Sequence, residues 1–155
     1  MVLPRIASLL LRFLQFASAA IVLGLMAWFL DRHHHYGIGP KGREVYTIVI
    51  AAISIVGSLI WLIPTLANML HYPFDLLMAA AWFAAFGILV DYVDDHGCGA
   101  WWSWKTRSFH DPWCSKWKAA ESFAFISAIS WFLSFVIGVY VFHRILDPVA
   151  RRSHV

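Results

Sequence analysis

Between His96 and Cys114 the chain reads HGCGAWWSWKTRSFHDPWC, a stretch that holds both of its cysteines. Two imidazoles and two thiols could close a tetrahedral zinc site. Two thiols alone could close a disulfide. The spacings are His-x-Cys at His96–Cys98 and three intervening residues at His110–Cys114, and neither matches a common zinc finger or ribbon. Two cysteines in one loop and none elsewhere suit a disulfide in an oxidising space. The favoured reading is a Cys98–Cys114 bond, with a metal site and two free thiols as the alternatives. Closing a loop of that size would contribute about 3 kcal/mol in the chain-entropy model.

Other reactive groups are sparse. Asp75, Asp91 and Glu121 are the only ionisable side chains in the long apolar stretches. Asp75 follows Pro73 at the start of one stretch, where a negative charge complements a helix dipole. Glu121 stands near the start of another, and Asp91 near a C-terminal end, where Lys116, Lys118 or water could receive it. All three are read as helix-terminal acids, Asp75 and Glu121 in capping or interface roles. Against them stands a proton or ion path, which wants such groups at mid-depth. His33-His34-His35 could bind metal or titrate near neutrality, but reads first as a solvated polar loop.

Catalytic arrangements do not assemble. There is no Cys-x-x-Cys pair. The serines of the apolar stretches lack a nearby base, and His71 and His143 lie at stretch ends rather than where a haem would need them. An enzyme binding an anionic tripeptide would use arginine in its helices, and arginine is absent from all four expected interiors. The expectation is a protein that is not an enzyme and takes no cofactor.

The elements that must position these residues follow from composition. The 155 residues are 61% hydrophobic and only 14% charged, where a soluble domain carries roughly a quarter charged residues. The net charge of +3 is small and dispersed, which argues against nucleic acid as a partner. Four stretches, about residues 13–30, 45–68, 73–92 and 119–142, are long enough to cross a bilayer. Backbone polar groups in hydrocarbon must pair within the segment, so each is expected to be a helix. The first runs too long for a cleaved signal peptide. Pro73 fits a helix start and Pro148 a helix stop. Short links favour an antiparallel bundle. The expected fold is therefore all-α, an integral membrane four-helix bundle in one domain over residues 1–155, with a stapled Trp-rich loop at 93–118.

Charge does not settle the orientation. Arg5, Arg12, Arg144, Arg151 and Arg152 lie on the side of the termini, against Arg32, Lys41, Arg43, Lys105, Arg107, Lys116 and Lys118 on the other. The disulfide reading places the long loop outside or in a lumen and both termini in the cytosol.

Small residues recur at helical spacing. Ala120, Ala124, Ser127, Ser134 and Gly138 form one stripe. Ala20 and Gly24, Ser54 and Ser58, and Ala80 and Ala84 beside Ala81 and Ala85 repeat the pattern. Such residues let membrane helices approach closely, and they are expected to pack the bundle. Trp101, Trp102, Trp104, Trp113 and Trp117 crowd the long loop, where indoles favour the headgroup level. They are expected to lie on the membrane interface or against a partner.

The segment HYPFDLLMAAAWFAAFGILV, His71 to Val90, carries Asp75 early, then Trp82 and Gly87. Together with the Cys98 and Cys114 loop and KAAESFAFISAISWFLSFVIGV, Lys118 to Val139, it resembles the third and fourth helices of MARVEL-type membrane-associating proteins, especially the small fungal group. The resemblance covers nearly the whole chain, although the triple His and the tryptophan run are not features of every member. It implies cytosolic termini and a role in membrane apposition, sorting or domain organisation without catalysis. In fungi, similar proteins belong to plasma-membrane microdomains and furrows. The expected function is a tetraspan plasma-membrane scaffold working by lateral association with membrane lipids, further copies in a homo-oligomer, or a larger integral membrane protein. The alternative is an accessory subunit of a transporter or synthase, followed by a small membrane enzyme or channel.

Overall fold

A computed structural model describes Leu3–Tyr36, Lys41–Leu62, His71–Asp95, Cys98 and Pro112–Arg152. These residues form four α-helices, α1 Leu3–Tyr36, α2 Lys41–Leu62, α3 His71–Asp95 and α4 Pro112–Arg152. Each contains an apolar span long enough to cross a membrane: Ser8–His35, Lys41–Trp61, Tyr72–Asp94 and Pro112–Val141. The described residues are all-α, as expected.

The helices form a ring in chain order. α1 packs on α2 and α4, and α3 packs on α4 and α2, while α1 and α3, like α2 and α4, face each other across the diagonal. Side-chain contacts show the antiparallel arrangement. Arg12 near the start of α1 meets Asp75 near the start of α3, and Trp61 at the end of α2 lies beside both Phe74 and Trp131. At the other end, Phe29 of α1 packs on Trp113 and Trp117 of α4, and Arg43 of α2 reaches Asp91 of α3. The bundle thus has a termini side and a disulfide side.

Every helix is longer or shifted relative to the expected spans. Residues 63–70 and 96–111, Cys98 apart, lie outside the described residues, and with them Pro64, His96, His110, Lys105, Arg107, Trp101, Trp102 and Trp104. α1 starts ten residues before the expected Phe13, so Arg12 is helical. α4 begins at Pro112 rather than residue 119 and continues through Pro148. A proline removes one backbone hydrogen bond, and so close to a helix end that loss does not stop the helix. Trp113, Cys114 and Trp117, expected in the loop, are therefore part of α4.

Each helix buries one arc. On α1 it is Arg12, Gln15, Ser18, Ala19, Val22, Met26 and Phe29; on α3, Asp75, Met78, Ala79, Trp82, Ala85, Leu89 and Tyr92. The small residues expected to pack the bundle divide between buried and outward-facing positions. Ala120, Ala124 and Ser127 of α4 and Ser54 and Ser58 of α2 are buried. Gly138 meets the Tyr72 Cβ, which would stand only 3.3 Å from any Cβ placed there. Gly24, Ala80 and Ala84 instead face outward. They lie on the far side of their helices from the arcs that hold Val22 and Trp82, so spacing alone assigned them to the wrong face.

Candidate functional site

The termini side holds a polar cluster inside the bundle. The Arg12 guanidinium donates to both Asp75 carboxylate oxygens, Nη1 to Oδ1 at 3.2 Å and Nη2 to Oδ2 at 3.0 Å. This two-point geometry matches the fork of the guanidinium to the carboxylate. Arg12 Nη1 also donates to Gln15 Oε1 at 2.9 Å, and Gln15 Nε2 donates to the Ser130 carbonyl at 3.2 Å. Ser134 Oγ completes the set, donating to Asp75 Oδ2 at 2.6 Å. One turn deeper, Ser127 Oγ donates to Ser18 Oγ at 2.7 Å.

The guanidinium lies over two adjoining indoles, 5.3 Å from the centroids of both Trp61 and Trp131. Arginine stacks favourably on such rings, more so when desolvated. All four helices thus converge on one cation: α1 supplies it, α3 its counter-ion, α2 and α4 the rings. Arg12 and Asp75 are 6% and 1% exposed, and counting rise from the middle of each span places them about 12–14 Å from the membrane centre. That is just inside a hydrocarbon core whose half-thickness is about 15 Å. An unpaired charge there would be very unfavourable, so pairing is what permits its presence.

This corrects the expectation that no helix interior holds an arginine. Arg12 stands outside the apolar run and reads as a flank, but α1 begins earlier and its side chain turns inward. The guanidinium is committed to Asp75, so it does not present itself to an anionic ligand. Asp75 is early in α3 as expected, and its partner is a cation on the diagonal helix rather than the helix's own N–H groups. A charged residue immediately before an apolar run, facing another near the start of its own, is the signal that would have found the pair.

The disulfide side is built differently. Cys98 and Cys114 are bonded, their Cα atoms 5.6 Å apart, so the described residues carry the disulfide and no free cysteine. The bond fixes the start of α4 to the chain that leaves α3, where Cys98 N–H donates to the Val93 carbonyl at 3.2 Å. Beneath it is an aromatic stack. Trp117 lies 4.5 Å from both Phe29 and Tyr92, and Trp113 lies 4.9 Å from Phe29. Trp117 is 1% exposed. It is therefore a core residue, not one resting on lipid or a partner, and Trp113 is half-buried. The helical spacing of 113 and 117, once α4 is extended to Pro112, turns both rings inward.

Acidic groups on this side are less fully paired. Glu44 of α2 is fully buried with neither carboxylate oxygen bonded, and Glu121 is 4% exposed with Oε2 unbonded, among the described residues. His33 Nδ1 and Trp117 Nε1 are likewise buried without a partner. Glu121 is the tenth residue of α4, not near its start, and lies about 8 Å from the membrane centre by helical rise. Extension of α4 removes its capping role. Asp91 pairs with Arg43 at 2.7 Å rather than with Lys116 or Lys118. Arg43 also donates to the Ile88 carbonyl at 3.1 Å, which brings it from α2 to the α3 terminus. Of the histidine run, His35 lies 3.7 Å from Asp31. Among the described residues, no group of three or more His, Cys, Asp or Glu side chains is placed to hold a metal ion.

Four membrane-length helices in a ring, an early acid in α3 and a cysteine bridge to the start of α4 can be compared with known proteins. Residues 5–137 match the MARVEL membrane-associating domain. The chain is 26% identical over 160 residues to an uncharacterized membrane protein, YDL218W, of Saccharomyces cerevisiae. That match covers 92% of this chain and 48% of the relative, so the chain spans about half the length of the curated relative it matches. No solved structure matches. The family match takes in α1 to α3 and most of α4, with the Arg12–Asp75 cluster, the clasp of the termini side, and the disulfide included, and the chain belongs to the MARVEL membrane-associating domain family.

Proposed function

We propose that this protein is a non-enzymatic tetraspan scaffold that organises plasma-membrane microdomains by lateral association with lipid, further copies of itself, or partner proteins. The observation that carries the reading is how the molecule divides its side chains. Hydrogen-bonding groups turn into the bundle, as in the Arg12–Asp75 cluster. The outward faces are given to large apolar residues such as Phe13, Ile53, Leu77 and Phe132, and on α1 and α3 also to Gly24, Ala80 and Ala84. An inside held by an ion pair and a disulfide keeps that outer surface fixed in shape, which lateral packing between helices requires. The disulfide supports an orientation with both termini in the cytosol and the bridge in an oxidising space.

The test is extraction from native membrane in mild detergent, followed by mass analysis of the intact particle. A homo-array supports the scaffold. A protein that stays strictly monomeric on reconstitution, and leaves lipid order and partner distribution unchanged, overturns it. One large partner at fixed stoichiometry would make the chain an accessory subunit instead.

A further inference from the structure

We propose that Glu44 and His33 form a proton-binding site inside the bundle, Glu44 holding the proton and His33 exchanging it with water on the disulfide side. Both residues turn inward from adjoining helices. Glu44 begins the buried arc of α2 that continues through Thr47, Ala51, Ser54 and Ser58. His33 stands one turn beyond Phe29 on the inner arc of α1, half-buried, with its Nδ1 fully covered. The two side chains are close enough for their charges to act on each other. From α3, Tyr92 also lies within electrostatic reach of Glu44, its ring 4.5 Å from that of Trp117 on α4.

What could answer a charge on Glu44 decides the ligand. Counting rise from the middle of its span places Glu44 about 11 Å from the membrane centre, inside a hydrocarbon core whose half-thickness is about 15 Å. The side chain is fully buried, and neither oxygen has a partner among the described residues. A bare carboxylate there is very unfavourable. Arg43, next to it in the chain, is turned to Asp91 and to the Ile88 carbonyl. Glu44 lies in the first turn of α2, but its oxygens take no backbone N–H there. A metal ion would need further ligands, and among the described residues no group of three or more His, Cys, Asp or Glu is placed to supply them. No hydrogen bond joins Glu44 to His33, as a buried ion pair requires. A proton needs no further ligand, and it leaves a neutral acid beside a neutral imidazole. By the same count His33 stands about 17 Å from the centre, at headgroup level and therefore between Glu44 and water. An imidazole gains and loses protons near neutrality. His33 takes a proton from water, passes one to a Glu44 oxygen, directly or over one bridging water, and returns to its neutral form.

The chain's glutamates are Glu44 and Glu121, so glutamate with a heavy-carbon label in its side-chain carboxyl reports on these alone. Glu121→Met then leaves Glu44 as the labelled group. Infrared difference spectra of labelled against unlabelled protein, in liposomes at neutral pH, are expected to show the C=O stretch of a protonated carboxyl. Spectra with only ionised-carboxylate bands overturn the site. Should Glu121→Met fail to fold, subtracting Glu44→Gln from labelled wild type isolates the same group. On transfer to heavy water the C=O band shifts as a deuteron replaces the proton, and the rate of that shift reads the exchange. His33→Gln, and equally His33→Asn, puts a side chain that does not titrate in the path, and is expected to slow exchange by about a hundredfold, the lower scale of a positioned proton-transfer group. His34→Gln, at the exposed neighbour, is expected to leave the rate unchanged. Exchange that is not slowed in either His33 variant, or is slowed equally in His34→Gln, overturns the part given to His33.

Discussion

On the termini side of the bundle, charge is buried and answered. Arg12 has two carboxylate oxygens, an amide oxygen and two rings around it, and Asp75 has a serine hydroxyl besides. On the disulfide side, stability comes from stacked rings and a covalent bridge, while Glu44 and Glu121 sit buried with oxygens unbonded among the described residues. The difference teaches that a membrane bundle can be held by two unlike means. One is specific and fragile, because it depends on every member being present. The other is tolerant, because ring packing and a disulfide do not require that each polar atom be matched.

The largest expected effect lies in the ion pair. Asp75→Asn leaves the Arg12 charge buried without its counter-ion, and is expected to destabilise the fold by about 3–5 kcal/mol. Arg12→Met combined with Asp75→Leu removes both charges, and is expected to recover most of that loss, since apolar replacement of a whole buried pair is often neutral. Unfolding midpoints in detergent check both. A double variant as unstable as the single one would mean that the shapes, not the charges, hold the termini side. Next in size is the bridge. Cys98→Ser with Cys114→Ser is expected to cost about 3 kcal/mol. Trp117 should remain protected from aqueous quenchers in that variant, because its burial comes from Phe29 and Tyr92.

How far this contrast could be read from the sequence differs between the two sides. Helix number, class and antiparallel order follow from apolar runs and short links, because hydrocarbon leaves the backbone no alternative to a helix. The Cys98–Cys114 bond follows from cysteine usage. The clasp does not, because the boundary of an apolar run is not the boundary of a helix. Arg12 falls one residue outside the run beginning at Phe13, and only the tertiary contact with Asp75 shows that it belongs inside. The same limit applies to α4. With its start placed at 119, Glu121 reads as a cap and Trp117 as a loop residue. With the start at Pro112 both face the bundle. Small residues mislead for a different reason: Ala80 and Ala84 have the right spacing, but spacing does not choose between two faces of one helix.

Glu121 tests the tolerant side with the opposite sign. Its Oε2 is buried and unbonded among the described residues, so its desolvation penalty is not offset as that of the Asp75 carboxylate is by Arg12 and Ser134. Glu121→Met keeps the volume and removes the polar atoms. It is expected to leave the fold as stable or raise its stability by about 1–3 kcal/mol, the scale of an unsatisfied buried group. A loss comparable to that of Asp75→Asn would break the comparison, since Glu121 would then belong to a network as closely matched as the clasp.

The smallest effects sharpen the comparison within neighbouring hydrogen bonds. Ser134 donates to a charged acceptor, the Asp75 carboxylate, at 2.6 Å, whereas Ser54 accepts from the Trp82 indole N–H at 2.7 Å. Both are serine bonds between helices, and alanine removes little volume at either. Bonds to charged groups contribute about 1.5–3 kcal/mol, while neutral interhelical bonds in membranes average about 0.6 kcal/mol. Ser134→Ala is therefore expected to lower the unfolding midpoint more than Ser54→Ala. In the Arg12→Met and Asp75→Leu background the acceptor is gone, so Ser134→Ala should then cost no more than Ser54→Ala. If Ser134→Ala keeps its full effect there, its contribution is packing against α3, and the clasp is confined to the guanidinium, the carboxylate and the two indoles.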